Sequence, residues 1–499
     1  MRRSLALVAA GALAAGCAAP APAPAPAPVT PAPAPAQVAA APIPSFPSTP
    51  PSLGAAPALR IPPIVTRTLG NGMKVMYVSM PELPVVSATL VDRGGISDDP
   101  ASAPGLAAFT ASMLDEGAAG RTSLQIADAL DLLGASLSAS AGWDASQVNL
   151  YVLRKNFPAA LGIMADVVTR PDFPQREVQR VRDERLVNLQ RGKDEPTVIA
   201  GNAFQALVFG QANPYGRFAT VAGTRGMSRA QLVAFHRSYY RPDQATLVLV
   251  GDVDPNAIHA DVERAFGGWR SGGAAPIPAA AAPAAANTPA TRIFLIDKPG
   301  AAQSEIRIGH PGVARTSPDF FPLLVLNSML GGAFTSRLNQ NLREKHGYTY
   351  GASSAFSMRR GAGPFVARAA VKTAQTDSSL TEFFRELNRI RTEAVPEAEL
   401  AQAKSYVALG FPQSFETTGQ VGSQLAGLVQ YGIDPSFFND YVARVNAVTP
   451  ADVQRVANQY VRPANSVVVV VGDRSVIEPG IRALNLAPVE IRSIGEFVK

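Results

Sequence analysis

The chain has 499 residues, 47% of them apolar, and a formal net charge of +6 from 45 basic and 39 acidic residues. This length is sufficient for two or more packed domains. The basic residues form no block of the kind that binds nucleic acid, so we expect no nucleic-acid partner. Because the sequence contains a single cysteine, a disulfide framework and a cysteine-rich metal site are both excluded.

The first 17 residues have the order of a bacterial lipoprotein signal peptide. Arg2 and Arg3 precede an apolar run from Leu5 to Leu13, and small residues then lead to Cys17. The run is too short to span a bilayer, and Cys17 would become the lipidated first residue of the mature chain. We therefore expect a periplasm-facing lipoprotein that contacts the outer membrane only through its lipid. A short transmembrane helix and an ordinary signal peptide are the alternatives.

Two segments are dominated by Ala and Pro and separate the globular parts of the chain. Residues 18–62 cannot bury an apolar face and favour extended polyproline geometry. We interpret them as a tether that reaches up to about 140 Å at about 3.1 Å per residue. The second segment, 271–290, predicts a linker between an N-terminal domain at 63–270 and a C-terminal domain at 291–499.

Strands and helices alternate after the tether. A capping box of Thr122 and Gln125, an apolar face and then Gly134 predict the start and end of one helix. Periodicity predicts strands at 74–78, 85–91, 135–141 and 146–153, and a helix at about 104–116. This mixed order indicates an α+β fold in which helices cover one face of each sheet.

The two halves of the chain share a repeated segment. Residues 239–252 align without gaps with residues 460–473, at an offset of 221, and seven of the fourteen positions are identical. Ser228 and Thr449 occupy the N-cap positions of the preceding helices. Each copy is predicted to form a helix, an Arg-Pro turn, a buried strand and a Gly-Asp turn. The match predicts an internal duplication.

Several motifs resemble those of insulinase/pitrilysin-type (M16) zinc peptidases. Residues 105–114 read GLAAFTASML, against G-L-A-H-F-x-E-H-M-L in the family. Residues 331–338 and 342–351 resemble the family's L-G-G-x-x-S-R-L and L-R-E-K-x-G-x-x-Y. Residues 134–139 look like its substrate-binding edge strand, and residues 213–217 like its H-P-Y-G-R turn. The resemblance implies two homologous α+β halves that form one side of a clamshell around a peptide-binding chamber.

The zinc-binding positions implied by this resemblance hold residues that cannot bind zinc. In the family, two histidines and a glutamate share one helical face, and a glutamate from a later helix completes the site. Here the first three positions are Ala108, Ala111 and Ser112, and the fourth falls on Gln190. Methyl groups, a hydroxyl and an amide cannot replace these ligands and the catalytic base. We therefore expect no catalytic residue in this chain and no cofactor bound to it.

The substrate-binding motif is retained. The resemblance implies that Arg343 and Tyr350 bind the substrate backbone and stabilise the oxyanion at a zinc centre facing them, a role suited to guanidinium and phenol donors. The alternative is a salt-bridged Arg343 at a helix end and a Tyr350 packed on the sheet. Gly331 and Gly332 would form a flexible loop that contacts the peptide, or a turn with unusual backbone angles.

A zinc site built from other residues is the remaining metal hypothesis. His236, His259, His310 and His346 are the only histidines, and no two of them have helical ligand spacing. A site assembled from distant parts of the chain would still be possible.

These features predict the non-catalytic, substrate-binding subunit of a heterodimeric M16-type zinc metalloendopeptidase. An H-x-x-E-H-bearing partner would supply zinc, and peptides or unfolded polypeptides would be the substrates. The chain alone would then cleave nothing. Two alternatives are a stand-alone peptide-binding scaffold and an enzyme with a rebuilt metal site.

Overall fold

A computed structural model describes residues 61–271 and 290–499, which belong to one compact unit. The predicted signal peptide with Cys17, nearly all of the 18–62 tether and nearly all of the 271–290 linker lie outside the described residues. Within the described ranges, no helix is long and apolar enough to cross a membrane.

The first half of the described chain covers residues 61–271. Its strands are β1 Ile64–Thr68, β2 Lys74–Ser79, β3 Val85–Asp92, β4 Gly117–Ala118, β5 Arg121–Thr122, β6 Ser136–Ala141, β7 Ser146–Leu153 and β8 Thr246–Gly251. Its α-helices are α1 Leu106–Ala111, α2 Ser123–Leu133, α3 Phe157–Thr169, α4 Gln175–Arg191, α5 Pro196–Phe209, α6 Val221–Gly226, α7 Arg229–Tyr239 and α8 Pro255–Phe266.

The second half covers residues 290–499. Its strands are β9 Arg292–Asp297, β10 Gln303–Pro311, β11 Thr349–Phe356, β12 Pro364–Lys372, β13 Val467–Gly472 and β14 Val489–Arg492. Its α-helices are α9 Phe320–Asn327, α10 Arg337–Asn339, α11 Thr376–Thr392, α12 Glu397–Gly410, α13 Thr418–Tyr431, α14 Tyr441–Asn446, α15 Pro450–Tyr460, α16 Arg474–Ala483 and α17 Ile494–Phe497. Two π-helical segments follow α9 and α10, at Ser328–Gly332 and Gln340–Lys345.

The two large sheets confirm the predicted α+β fold and its duplication. The first has the order β1-β2-β8-β3-β7-β6, and the second has the order β14-β9-β13-β10-β12-β11. The pairs β2–β8 and β9–β13 are parallel. The pairs that follow them in each sheet, from β8 to β6 and from β13 to β11, are all antiparallel. Only the outermost strand differs, since β1 is antiparallel to β2 and β14 is parallel to β9.

The local signals in the sequence explain most element boundaries. Capping boxes at Ser228 and Thr449 begin α7 and α15, and every residue of β8 and β13 is buried, as expected for central strands. Helix α2 begins after its Thr122 capping box and ends at Gly134, whose φ of 59° favours glycine. The helix predicted at 104–116 is shorter than expected, because turns replace the helix after Ser112.

Each half contributes one helix to the core of the other. Helix α5 packs on the second sheet and α13 packs on the first. Ile199, Phe204 and Val208 of α5 share a buried cluster with β9 and β13, while Val421 and Leu425 of α13 share one with β2 and β8. The predicted division at 271–290 therefore separates the two sheets but not their hydrophobic cores.

Candidate functional site

The helix face that holds the vacated zinc-binding positions is occupied by groups with structural roles. Ala111 is only 1% exposed, so its methyl group lies in the core. Ala108 and Ser112 are half-buried. The Ser112 hydroxyl donates to the carbonyl oxygen of Phe109 at 2.9 Å, within its own helix. This face therefore offers neither an imidazole nor a carboxylate.

Asp99 fixes the N-terminal end of α1. Its carboxylate oxygens accept hydrogen bonds from the backbone N–H groups of Gly105 at 2.6 Å and Ala107 at 2.7 Å. Burial raises the pKa of Asp99 to about 7, against these two bonds, which lower it. Gly105 itself has a φ of 96°, which favours glycine at the start of the helix. The sequence motif did not identify Asp99.

Arg185 of α4 is the residue that meets the vacated face. Its Nη1 lies 3.5 Å from the carbonyl oxygen of Ala108, and its guanidinium lies 5.3 Å from the ring centroid of Phe109. Desolvation lowers the Arg185 pKa, and the nearby Asp99 carboxylate partly opposes this effect. A cation over an aromatic face contributes about 0.5–2 kcal/mol. Arg185 therefore joins α4 to α1 on the side where the family resemblance implied a metal.

Gln190 does not occupy the position that the sequence comparison assigned to it. It lies five residues after Arg185, which is about 140° around the helix at about 100° per residue. Gln190 is also exposed. The residues that share the face of Arg185 toward the C-terminal end of α4 are Asn188 and Leu189. Asn188 and Leu189, rather than Gln190, therefore lie on the side of α4 that Arg185 presents to α1.

Strand β6 forms an open sheet edge beside α1. It is the outermost strand of the first sheet and it contacts α1. Ser136, Ser138 and Ser140 are exposed along it. An outermost strand presents unpaired backbone N–H and C=O groups, to which an extended peptide can add by β-augmentation.

Arg343 is half-exposed at the end of a π-helical segment. Its Nε lies 3.3 Å from a carboxylate oxygen of Glu344, and its guanidinium lies 4.6 Å from the ring centroid of Phe334. Phe334 is itself 58% exposed. The alternative of a salt-bridged Arg343 is therefore present, but both partners are at the surface, where such a pair contributes little.

A buried network supports the segment that carries Arg343. The Asn341 side-chain amide donates to carboxylate oxygens of Glu382 at 2.7 Å and Glu386 at 2.6 Å. These two carboxylates belong to α11 and are 8% and 2% exposed. π-helical turns are rare and occur frequently at functional sites. The network holds this one against α11 and so fixes the backbone of Arg343.

Tyr350 projects from a β-bulge. The pairing of β11 with β12 is irregular between Thr349 and Ala352, and Tyr350 lies inside that irregularity. The Thr349 hydroxyl stabilises the bulge by donating to the carbonyl oxygen of Ala370 at 2.6 Å. Tyr350 is 90% exposed, so it does not pack against the sheet as the alternative interpretation required. A bulge of this kind redirects a side chain.

Gly331 and Gly332 form part of the first π-helical segment. Neither glycine has a positive φ, so the predicted unusual backbone angles are wrong. Gly331 is needed because a Cβ there would lie 2.3 Å from the backbone nitrogen of Ser354, and one at Gly332 would lie 2.8 Å from Nδ2 of Asn327. Close packing explains both glycines, on β11 for Gly331 and on Asn327 of α9 for Gly332. Their contact with a peptide stays a prediction.

Comparisons with known proteins agree with these observations. Residues 74–212 match the family described as insulinase (peptidase family M16), and residues 226–407 match the peptidase M16 inactive domain. The chain belongs to peptidase family M16. An uncharacterized zinc protease of Streptomyces coelicolor is 27% identical over 415 residues, which cover 80% of this chain and 88% of that protein.

Relatives and solved structures of M16 proteins cover most of the chain. An uncharacterized zinc protease of Mycobacterium tuberculosis is 27% identical over 81% of this chain and 92% of that protein. The crystal structure of a peptidase M16 inactive domain from Pseudomonas fluorescens has a TM-score of 0.76 and 26% identity, over 82% of this chain and 98% of that one. A Helicobacter pylori protease, at 18% identity and a TM-score of 0.73, shares the fold.

The residues of this M16 chain do not fit a zinc ion at the family position. Ala108, Ala111 and Ser112 supply no ligand, and the α4 residue opposite them is a cation. Among the described residues, no group of three or more His, Asp, Glu or Cys side chains could hold a metal elsewhere. We therefore derive no catalytic step through zinc in this chain.

The four histidines of the M16 chain have separate structural roles. His236 is buried, with Nε2 at 2.7 Å from the carbonyl oxygen of Val168. His310 is buried between the Pro311 carbonyl and the Arg462 N–H, and burial lowers the pKa of both histidines to about 4. Nδ1 of His259 lies 2.7 Å from the Tyr77 hydroxyl, and His346 stacks on Tyr348.

Proposed function

We propose that this M16 chain is the non-catalytic, peptide-binding subunit of a two-chain zinc metalloendopeptidase. The observation that carries the proposal is the contrast between two sites. Position 111, where the family resemblance implies a catalytic glutamate, holds a fully buried methyl group, whereas Tyr350 is 90% exposed. A partner with an intact H-x-x-E-H motif would supply the metal and the base.

The proposed roles of Arg343 and Tyr350 follow from their chemistry. Guanidinium and phenol groups donate hydrogen bonds to a carbonyl oxygen that gains negative charge, and removal of one such donor costs about 10²–10³ in rate in known enzymes. Both groups are accessible, and Arg343 is held by a backbone segment anchored on α11. The open edge of β6 would bind an extended peptide in the same complex.

The location of the complex is part of the proposal. Lipidation of Cys17 would anchor the chain to the outer membrane on its periplasmic side, and residues 18–62 would hold the M16 unit away from the lipid. Labelling with a radioactive fatty acid, compared between the natural sequence and a Cys17→Ala variant, tests the anchor independently of the peptidase assay.

The experiment that tests the function mixes this chain with an M16 chain that carries H-x-x-E-H. Cleavage of quenched fluorescent peptides is followed for each chain alone and for the mixture. We expect this chain to be inactive alone and the mixture to exceed the partner alone by at least about tenfold. Arg343→Met and Tyr350→Phe should each reduce the rate of the mixture by about 10²-fold.

Matched substitutions separate the proposed roles from general effects. Arg176→Met removes an exposed arginine, and Tyr406→Phe alters a tyrosine that is 56% exposed; both should leave the rate of the mixture unchanged. Full activity of the partner alone, unaffected by this chain, would contradict the proposal. Peptide binding by this chain without any effect on a peptidase would support the stand-alone scaffold instead.

A further inference from the structure

A cavity of about 340 Å³ lies between α4, α5 and α6, beside the vacated face of α1. Arg185, Asn188 and Leu189 of α4 line it on one side, and Val198, Ala219 and Val498 line it on others. Its proximity to α1 follows from Gly105, because a Cβ on this glycine would lie 3.0 Å from the Cβ of Ala219 and 3.9 Å from Nη2 of Arg185. The volume is within the range of small-ligand sites, about 300–1,000 Å³.

Arg185 brings a positive charge with unused hydrogen-bond donors to this cavity. A guanidinium has five N–H donors, and among residues 61–271 and 290–499 Arg185 forms one hydrogen bond, the 3.5 Å contact with the carbonyl oxygen of Ala108. Within the described part of the chain it forms no salt bridge, and the nearby Asp99 carboxylate is already bonded to two backbone N–H groups. The half-buried guanidinium therefore has donors left over that an anion entering the cavity can accept from.

The neighbouring side chains restrict the kind of anion. Leu189, Val198 and Val498 offer aliphatic surface, and the Asn188 amide offers a further donor next to Arg185. The exposed Arg191 and Glu195 also line the cavity and offset each other in charge. A carboxylate and an alkyl group held close together in one ligand match Arg185 and these aliphatic side chains. In the last residue of a peptide the carboxylate and the aliphatic side chain are attached to the same carbon atom, Cα.

We propose that this cavity binds the C-terminal carboxylate of a peptide that ends in an aliphatic residue, with Arg185 as the carboxylate ligand. Planar guanidinium and carboxylate groups match in a two-bond geometry, and capture of a peptide C-terminus is a known mode of recognition. The site belongs to the first half of this chain and needs no peptidase partner. It shares with the proposed function only the premise that the chain binds peptides.

The test measures binding to the purified chain alone by fluorescence anisotropy. The probes are a labelled pentapeptide that ends in Leu with a free carboxylate, the same pentapeptide amidated at its C-terminus, and unlabelled N-acetyl-leucine as competitor. We expect the amide to bind at least tenfold more weakly than the acid. We also expect the competitor to displace the acid only at far higher concentration, since it lacks the remainder of the peptide.

Variants assign the effect to Arg185. Arg185→Met should abolish the preference for the acid, and Arg185→Lys should retain part of it because a charge remains without the two-bond geometry. Arg176→Met, which removes from the same helix an exposed arginine that does not line the cavity, should bind as the natural sequence does. Circular dichroism and thermal unfolding verify that each variant is folded.

The outcomes separate this inference from the proposed function. Equal affinity for acid and amide would overturn the inference, as would an acid preference that survives Arg185→Met in a folded protein. Displacement by N-acetyl-leucine at the same concentration as the peptide would assign the cavity to small carboxylates and overturn the peptide assignment. None of these results depends on activation of a partner peptidase, which is measured in a different mixture.

Discussion

The two halves have the same strand order, but they differ in one equivalent segment. This segment joins β3 to β6 in the first half and β10 to β11 in the second. In the first half this segment contains α1, whose surface is covered by Arg185 and whose Ala111 is buried. In the second half it contains the two π-helical segments and leads to the exposed Tyr350. The same scaffold thus has a closed site at Ala111 in its first half and an open site at Tyr350 and Arg343 in its second.

The difference shows how loss of a metal site is accommodated. A vacated zinc site leaves polar groups and space that must be filled, because unpaired buried groups and voids reduce stability. Here Asp99, Ser112 and Arg185 form contacts within the protein. Within the described part of the chain Tyr350 has no comparable partner and is 90% exposed, so its side chain is available to another molecule.

The largest expected effect comes from placing a carboxylate back at position 111. Ala111→Glu would bury a charge without a partner, and we expect it to lower the free energy of unfolding by about 3–5 kcal/mol. Ala108→Glu is the matched control on the same helix, and its half-exposed position should limit the loss to about 1 kcal/mol. Urea unfolding measures both values. Equal losses would show that the first site is as open as the second.

Removal of a large side chain from α5, the first-half helix that packs on the second sheet, should also reduce stability strongly. Phe204 of α5 is 1% exposed and packs on the second sheet, so Phe204→Ala should cost about 3–5 kcal/mol. Both tryptophans, Trp143 and Trp269, belong to the first half and report its unfolding by fluorescence. We expect the unfolding transition that the tryptophans report to show the full loss of stability caused by Phe204→Ala, because the two halves share their cores. A second, unshifted transition would show that the halves unfold separately.

The packing of α5 and α13, each on the sheet of the other half, is the part of the fold that the sequence could not predict. Capping residues, a 221-residue offset and buried strand patterns were sufficient for the duplication and most elements, since these signals are local. The apolar faces of α5 and α13 are equally compatible with either sheet. Which sheet each helix covers depends on tertiary packing, so a division into two separate domains was a natural but incomplete expectation.

The site was predictable where a residue type decides the chemistry. Ala108, Ala111 and Ser112 exclude zinc ligation whatever surrounds them. Arg185 and Asp99 were missed, because their roles depend on distances across elements rather than on spacing in the sequence. The misplacement of Gln190 has the same cause: only the packing of α4 on α1 identifies the helix face that matters.

Protonation of the buried histidines provides a smaller test of the closed core in each half. The unfolded-state pKa of His310 is near 6.5 and its folded-state pKa is lowered to about 4 by burial, so the unfolded state binds a proton first as the pH falls. Stability from this group is complete above pH 6.5 and decreases toward pH 4. His310→Gln should cost about 1–2 kcal/mol at pH 7 through lost hydrogen bonds.

This cost should shrink as the pH falls, because the variant no longer carries the titrating group. Over the 2.5 pH units between 6.5 and 4 the cost should fall by at most about 3 kcal/mol, which is enough to make the variant the more stable protein near pH 4. Urea unfolding at half-unit steps of pH measures the difference. His236→Gln should behave in the same way in the first half, since burial lowers the pKa of His236 to about 4 as well. A difference independent of pH would mean that the imidazole is accessible to protons in the folded state.

The smallest expected effect on stability comes from substitutions at the open site, Tyr350 and Arg343. A small effect separates a role in binding from a role in the fold. Tyr350 is 90% exposed, and the Arg343 side chain pairs with two exposed residues, Glu344 and Phe334. We expect Tyr350→Phe and Arg343→Met to change the free energy of unfolding by no more than about 0.5 kcal/mol. Thermal and urea unfolding measure this change. A larger loss would show that these residues serve the fold, and their effect on a peptidase mixture would then have a structural origin. If stability is unchanged while the rate of the mixture falls, the two side chains act on the peptide or on the partner's site, since the fold does not need them.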